Sequence, residues 1–202
     1  MKSQLHLLGD FYRRELGHYL LITAVAFLLL IGLSLAVGLF RPELARSVMD
    51  FFSTAVQELD VVDAEGNFSA PALFFNNFRA MTMGILCGFI PFIYLTALSL
   101  GVNSMLLGFF AAVYLNEGIS MVRYFAALIP HGIFELPAMI LAFACGVYLC
   151  HTVSDFVKNN EKGIVKQAVM DILRVLLLNI LPLLICAAAM EAYVTPRLVE
   201  LL

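Results

Sequence analysis

Long stretches without a charged residue dominate the hydrophobic pattern of this 202-residue chain. A helix needs ~20 apolar residues to cross the hydrocarbon core of a bilayer. The uncharged run from Tyr19 to Phe40 has that length, and the run from Ala80 to Asn116 is much longer. The segment from Tyr124 to Cys150 is interrupted only by His131 and Glu135, and Val175 to Met190 is a shorter fourth run. These runs predict membrane-spanning α-helices.

The run from Ala80 to Asn116 is too long for one crossing and predicts two short ones, although a re-entrant element is the alternative. The turn between them is expected at Leu98 to Gly101. The sequence therefore predicts an all-α, polytopic transmembrane protein that forms one integral membrane domain over residues 1–202, with about five membrane helices. The predicted spans are residues 19–40, 79–98, 101–116, 124–150 and 174–192.

Two other segments repeat apolar residues at helical spacing but carry too many charges to span a membrane. Segment 43–59 places apolar residues on one face, with Arg46 and Asp50 on the opposite face. This pattern is typical of a helix that lies along the membrane interface, here on the outer side. Segment 162–173 has the same pattern and predicts an interfacial helix on the inner side. Ser69 is placed to cap the helix that follows it.

Composition supports this interpretation and narrows the functional classes. The chain is 62% hydrophobic and 13% charged, whereas a soluble domain is about half apolar and a quarter charged. The net charge of −3 and the lack of a basic stripe argue against nucleic-acid binding. None of the four cysteines forms a Cys-x-x-Cys pair, so a thiolate metal site is not indicated. A modest excess of Lys and Arg predicts a cytoplasmic N-terminus.

Ionisable residues inside the apolar runs are the candidates for function, because a charge deep in lipid is costly. His131 and Glu135 lie four residues apart, so their side chains project from the same face of a helix. Asn77 and Asn103 are further amides within apolar runs and also need polar partners. The sequence predicts an intramembrane polar site from these four residues.

Three interpretations of this site stay open. His131 and Glu135 can form a hydrogen-bonded pair that holds helices together. They can bind an ion, a small solute or a lipid, with Asn77 and Asn103 as further ligands. They can also serve an intramembrane enzyme as metal ligands or as an acid/base pair. A catalytic zinc site usually has three protein ligands, and the sequence offers two, so no metal, cofactor or catalytic residue is predicted.

Small residues and prolines accompany the polar residues. Gly84 and Gly88 form a Gly-x-x-x-Gly motif, which suits close packing between helices or in a homodimer. Pro130, Gly132 and Pro137 surround the His131–Glu135 pair. Because proline lacks an amide hydrogen and crowds the preceding turn, we expect a kink beside the pair.

A series of motifs runs along the chain: Phe75-Asn76-Asn77, then Gly84 and Gly88, then Asn103 and Gly108, then Leu128 to Ala138 with a Pro-His-Gly-x-x-Glu core. From about Phe11 to Leu184, this series resembles the stage II sporulation protein M family. The resemblance implies a multi-pass protein of a bacterial or archaeal inner membrane, with about five helices.

The resemblance also implies a role. The family's namesake acts in endospore formation, where it joins peptidoglycan-degrading proteins during engulfment. This implies a non-enzymatic membrane organiser, or a subunit of a membrane complex, whose partners are membrane lipids and other membrane or cell-envelope proteins. A transporter- or channel-like module with an intramembrane His/Glu/Asn site is the alternative. An intramembrane metal-dependent enzyme is the third.

Overall fold

Every regular element in the computed structural model is a helix, over the two ranges that it describes, residues 3–57 and 69–201. The α-helices are α1 (Gln4–Phe11), α2 (Gly17–Phe40), α3 (Pro42–Gln57), α4 (Ala70–Leu86), α5 (Leu95–Asn116), α6 (Met121–Asn159), α7 (Ile164–Val175), α8 (Leu181–Tyr193) and α9 (Thr195–Glu200). Wider π-helical turns at Tyr12–Leu16 and Leu176–Ile180 join α1 to α2 and α7 to α8.

Within the described ranges, four continuous helices are long and apolar enough to cross a membrane. They are Gln4–Phe40, Leu95–Asn116, Met121–Asn159 and Ile164–Glu200. The prediction of an all-α, polytopic membrane protein is therefore confirmed. Helix α4 has 17 residues, which is just under the length of a regular crossing. The structure thus supports four of the predicted spans and does not confirm the count of five.

The turn inside the long uncharged run lies elsewhere than predicted. Helix α5 runs without a break through Leu98 to Gly101, and the chain turns earlier, between a 3₁₀ turn at Cys87–Phe89 and the start of α5. Pro91 explains this position, because a proline pushes the residue before it out of the helical region. Ile90 accordingly has φ −89° and ψ 104°. The predicted span at 79–98 is therefore the end of α4, this turn and the start of α5.

Hydrogen bonds connect this turn to the second half of α6. The backbone amide of Phe92 donates a hydrogen bond of 3.0 Å to Ser154 Oγ, and Cys150 Sγ donates to the carbonyl of Ile90. Lys158 Nζ lies 5.4 Å from the centre of the Phe92 ring. The end of α4 therefore lies at the level where α6 leaves its apolar segment.

Helix α3 corresponds to the predicted amphipathic segment 43–59, whose last two residues lie outside the described ranges. It folds back on the bundle after Arg41. Ala45 is fully buried against Gly38 of α2 and Ala112 of α5, and Arg46 forms an ion pair of 3.3 Å with Glu117. The helix therefore packs on the bundle through one face.

The segment predicted as an interfacial helix, 162–173, contains the beginning of the last long helix. Its apolar residues Ala168 and Ile172, and Val175 just beyond it, are buried against α6 and α1. The polar residues around them are paired. Asp171 accepts hydrogen bonds from Gln167 Nε2 at 2.8 Å and from Arg174 Nη1. Pairing lets this charged segment join the bundle.

Glycines set the closest approaches between helices. A Cβ on Gly88 would collide with the carbonyl oxygen of Gly146, and one on Gly146 would lie 2.6 Å from Thr96 Cγ2. Thr96 is fully buried and donates a hydrogen bond of 2.8 Å to the carbonyl of Gly84. Gly84 of α4 and Gly88 of the following 3₁₀ turn thus lie at close contacts with α5 and α6.

Candidate functional site

Helix α6 carries the His131–Glu135 pair. It begins after Ser120, whose hydroxyl accepts a hydrogen bond from Val122 N, and it continues for 39 residues through Pro130 and Pro137. The prolines therefore do not break the helix. His131 and Glu135 project from the same face, and the small residues that continue this face towards the C-terminus, Ala138 and Ala142, are fully buried. The pair faces other helices.

A third ionisable side chain meets the pair. One ligand atom from each of His131, Glu135 and Glu191 lies within 4.8 Å of the others, and all three residues are partly buried. Glu191 comes from the end of α8, which runs antiparallel to α6. The site therefore has three convergent groups where the sequence indicated two.

His131 does not bond Glu135, and its hydrogen-bond partner among the described residues is Thr195. The distance between His131 Nδ1 and Thr195 Oγ1 is 3.4 Å. The Thr195 hydroxyl donates to the carbonyl of Met190 at 3.2 Å, so its oxygen is free to accept from the imidazole. The predicted pair therefore becomes a contact between α6 and the junction of α8 with α9.

The two predicted asparagines border Glu135. A small cavity of about 40 Å³ is lined by Asn77, Asn103 and Glu135. A larger cavity of about 220 Å³ has Asn103, His131 and Glu135 in its wall, together with apolar residues of α3, α5 and α6. Asn103 Nδ2 donates a hydrogen bond of 2.8 Å to the carbonyl of Ser99. The structure thus brings the four predicted polar residues together around Glu135.

Gly132 differs from the other glycines that were predicted to pack. A Cβ there would meet only Leu128 and Leu136 of its own helix, at 3.6 to 3.8 Å. Gly132 lines the larger cavity, so its lack of a side chain keeps space beside His131 instead of admitting another helix. Gly84, by contrast, faces the Phe143 ring at 3.1 Å.

Glu191 and Thr195 were missed by sequence reasoning. Glu191 marks the end of an uncharged run and is therefore easily interpreted as the boundary of a span. The sequence signal that could have found it is the series Ala187, Ala188 and Ala189 just before it, because small residues allow close helix approach. Ala187 and Ala188 are indeed buried.

The cluster combines an imidazole with two carboxyl groups inside a helical bundle. None of the ion pairs that the structure shows in residues 3–57 and 69–201 includes Glu135 or Glu191. Carboxylates in an apolar environment need a proton, a cation or several hydrogen bonds to offset the loss of water. The site can therefore hold a cation, share protons, or order a small polar molecule in the adjoining cavity.

The sequence of the chain matches a known family. The family model described as stage II sporulation protein M matches residues 19–196. The chain belongs to this family. Membership in the stage II sporulation protein M family confirms the resemblance, and the match covers every residue of the candidate site, from Asn77 to Thr195.

A curated relative extends the family to an archaeon. An uncharacterized protein of Methanocaldococcus jannaschii is 29% identical over 138 residues, which cover 65% of this chain and 73% of the relative. No solved structure gives a significant match. Family membership and the apolar helices together support a membrane protein that associates with the lipid bilayer.

Proposed function

We propose that this member of the stage II sporulation protein M family is a non-enzymatic organiser of a membrane complex, with membrane or cell-envelope proteins as partners. The observation that carries the proposal is the surface of α3. This helix is anchored to the bundle through Ala45, while the Phe51 side chain remains 79% exposed. Exposed aromatic residues on an anchored amphipathic helix are suited to contact a second protein at the membrane surface.

The absence of hydrolase motifs in the sequence supports the non-enzymatic part of the proposal. The chain contains no Gly-x-Ser-x-Gly, His-Glu-x-x-His or Walker sequence. In the family's namesake, the proteins it joins degrade peptidoglycan, and this chain would likewise hold such enzymes in place.

The proposal includes five crossings with a cytoplasmic N-terminus. Helix α4 and its 3₁₀ turn together extend about 31 Å, from about 1.5 Å per α-helical residue and about 2 Å per 3₁₀ residue, which matches a hydrocarbon core of about 30 Å. Contacts support alternating directions. Gly84 of α4 and Gly88 of its 3₁₀ turn contact Phe143 and Gly146 of α6 in the same order, so α4 and α6 are parallel. Tyr124 of α6 reaches the carbonyl of Leu107 in antiparallel α5.

Cysteine labelling tests this topology. Ser47 in α3 and Asn159 at the end of α6 are exposed, so a cysteine at either position should not disturb the fold. A membrane-impermeant maleimide added to intact cells should label Ser47→Cys, and it should label Asn159→Cys only after the membrane is opened. The wild-type chain, with its four native cysteines, gives the background. Labelling of both positions from outside would show that α4 does not cross.

Partner binding through α3 is tested by co-purification from native membranes with quantitative mass spectrometry. Phe51→Ser should lower the recovery of bound envelope proteins about 10-fold, because an exposed aromatic anchor is worth about 1.4 kcal/mol or more in an interface. Leu28→Ser is the matched control, since Leu28 is 67% exposed in the middle of α2. Equal recovery with both variants would contradict a partner surface on α3.

The second candidate function is binding of an ion, a small solute or a lipid group at the intramembrane site. The cavity of about 220 Å³ beside His131 and Glu135 favours it, because such a volume admits more than one water-sized group. This candidate is compatible with an organiser, since a bound ligand could fix α6 against α8.

A further inference from the structure

We infer that His131, Glu135 and Glu191 form a binding site for one divalent transition-metal ion of the zinc and manganese class, which joins α6 to α8. It rests on the second candidate function, for which it names the ion and the ligands, and it does not depend on the organiser role. The inference rests on three observations: the convergence of the three side chains, the charge of the cluster, and the space next to it.

The geometry is close to that of a metal site. The three ligand atoms lie within 4.8 Å of one another. Around an ion at about 2.0 to 2.2 Å from each ligand, neighbouring ligand atoms lie about 3.5 Å apart. Glu135 and Glu191 have several side-chain torsions each, so small rotations bring the carboxylates to that separation without a shift of the helices.

Thr195 is placed to orient the His131 imidazole for metal binding. Its hydroxyl donates to the carbonyl of Met190, and its oxygen lies 3.4 Å from His131 Nδ1, in position to accept. The tautomer that suits this contact carries its proton on Nδ1 and leaves the lone pair of Nε2 for a metal. Metal-binding histidines usually donate their other nitrogen in this way, which fixes both tautomer and ring orientation.

Charge favours a divalent ion over a monovalent one. Two ionised carboxylates and a neutral imidazole carry a charge of −2, which a divalent cation balances. Neither carboxylate has a lysine or arginine partner among the described residues. Within a bundle that crosses lipid, such a balance removes the cost of an uncompensated buried charge.

The chemistry of the three ligands limits which metal ions the site would bind. A nitrogen ligand with two carboxylates suits Zn²⁺, Mn²⁺ or Fe²⁺, whereas Mg²⁺ and Ca²⁺ prefer oxygen ligands alone. The cavity of about 220 Å³ beside His131 and Glu135, with Asn103 in its wall, has room for water or for a further ligand.

The experiment is metal analysis of the full chain, purified in mild detergent with an affinity tag that contains no histidine. After chelator treatment and incubation with Zn²⁺ or Mn²⁺, followed by removal of free metal, wild type should retain one ion per chain by plasma mass spectrometry. Glu191→Gln and His131→Gln should each weaken Zn²⁺ binding at least about 10-fold in equilibrium dialysis. Mg²⁺ should not compete at equal concentration.

His151 and Asp155 provide the matched control. They form a second histidine–carboxylate pair on α6, with 3.2 Å between His151 Nδ1 and Asp155 Oδ2, so His151→Gln tests for adventitious metal on such pairs and should leave binding unchanged. Circular dichroism and gel filtration confirm that each variant folds. The inference is overturned if wild type retains no more metal than Glu191→Gln, or if His151→Gln removes the ion.

Discussion

Gly108→Ala should lower the free energy of unfolding by about 3 kcal/mol, a typical upper cost for overpacking a tight interface. A Cβ at this position in α5 would collide with Ser34 Oγ and with the carbonyl oxygen of Ile31, and would lie 2.8 Å from the backbone nitrogen of Leu35. Two of these atoms belong to the backbone of α2. Helices α2 and α5 must therefore separate to accept one methyl group.

The measurement is unfolding of the purified protein in mixed micelles, followed by circular dichroism during an SDS titration. Gly101→Ala is the control in the same helix, because nothing lies within 4 Å of its Cβ position. Alanine should there stabilise the helix by about 0.5 to 1 kcal/mol. If both variants unfold at the same SDS fraction, the close contact between α2 and α5 is not formed.

Asp171→Ala is expected to cost about 3 kcal/mol, because it leaves a mostly buried arginine without its counter-charge. The Asp171 and Arg174 side chains are 12% and 17% exposed. The loss also deprives Gln167 of its acceptor. Arg174 Nε remains bonded to Gln4 at 2.8 Å, which ties α7 to α1 and limits the damage.

Thermal unfolding of single and double variants checks this prediction. Asp171→Ala combined with Arg174→Met should be more stable than Asp171→Ala alone, since the uncompensated charge is then gone. Glu117→Ala is the surface control. Its ion pair with Arg46 is between side chains that are 38% and 49% exposed, so its loss should cost less than about 1 kcal/mol. Equal losses at both sites would contradict the buried pair.

The sequence predicted the features of this fold that depend on a single helix. Run length identified the apolar helices, because a bilayer sets their length. The spacing of His131 and Glu135 placed them on one face of a helix. Ser69 caps α4 as expected, accepting a hydrogen bond from Ala72 N.

Features that depend on two segments could not be predicted in this way. The meeting of Glu191 with His131 depends on which face of α8 packs against α6. The turn was expected at Leu98 to Gly101 because the run was divided by length, whereas Pro91 and its hydrogen-bonded environment on α6 decide the position. The burial of segment 162–173 also depends on distant parts of the chain. Arg174, just beyond this segment, donates a hydrogen bond to Gln4, which is far away in the sequence.

The π-helical turns at Tyr12–Leu16 and Leu176–Ile180 are held together by a hydrogen bond of 3.1 Å from Tyr12 Oη to Asn179 Oδ1. Each turn rotates the buried face of the residues that follow it relative to the buried face of the residues before it. The buried stripe of the last helix passes from Val175 to Ile180, a step of five residues where an α-helix takes three or four. Phe11 and Leu16 make the same step in the first helix. A single helical wheel drawn over either full helix therefore places the buried residues before and after the π-helical turn at different angles. The buried face becomes visible only when the two parts are plotted separately.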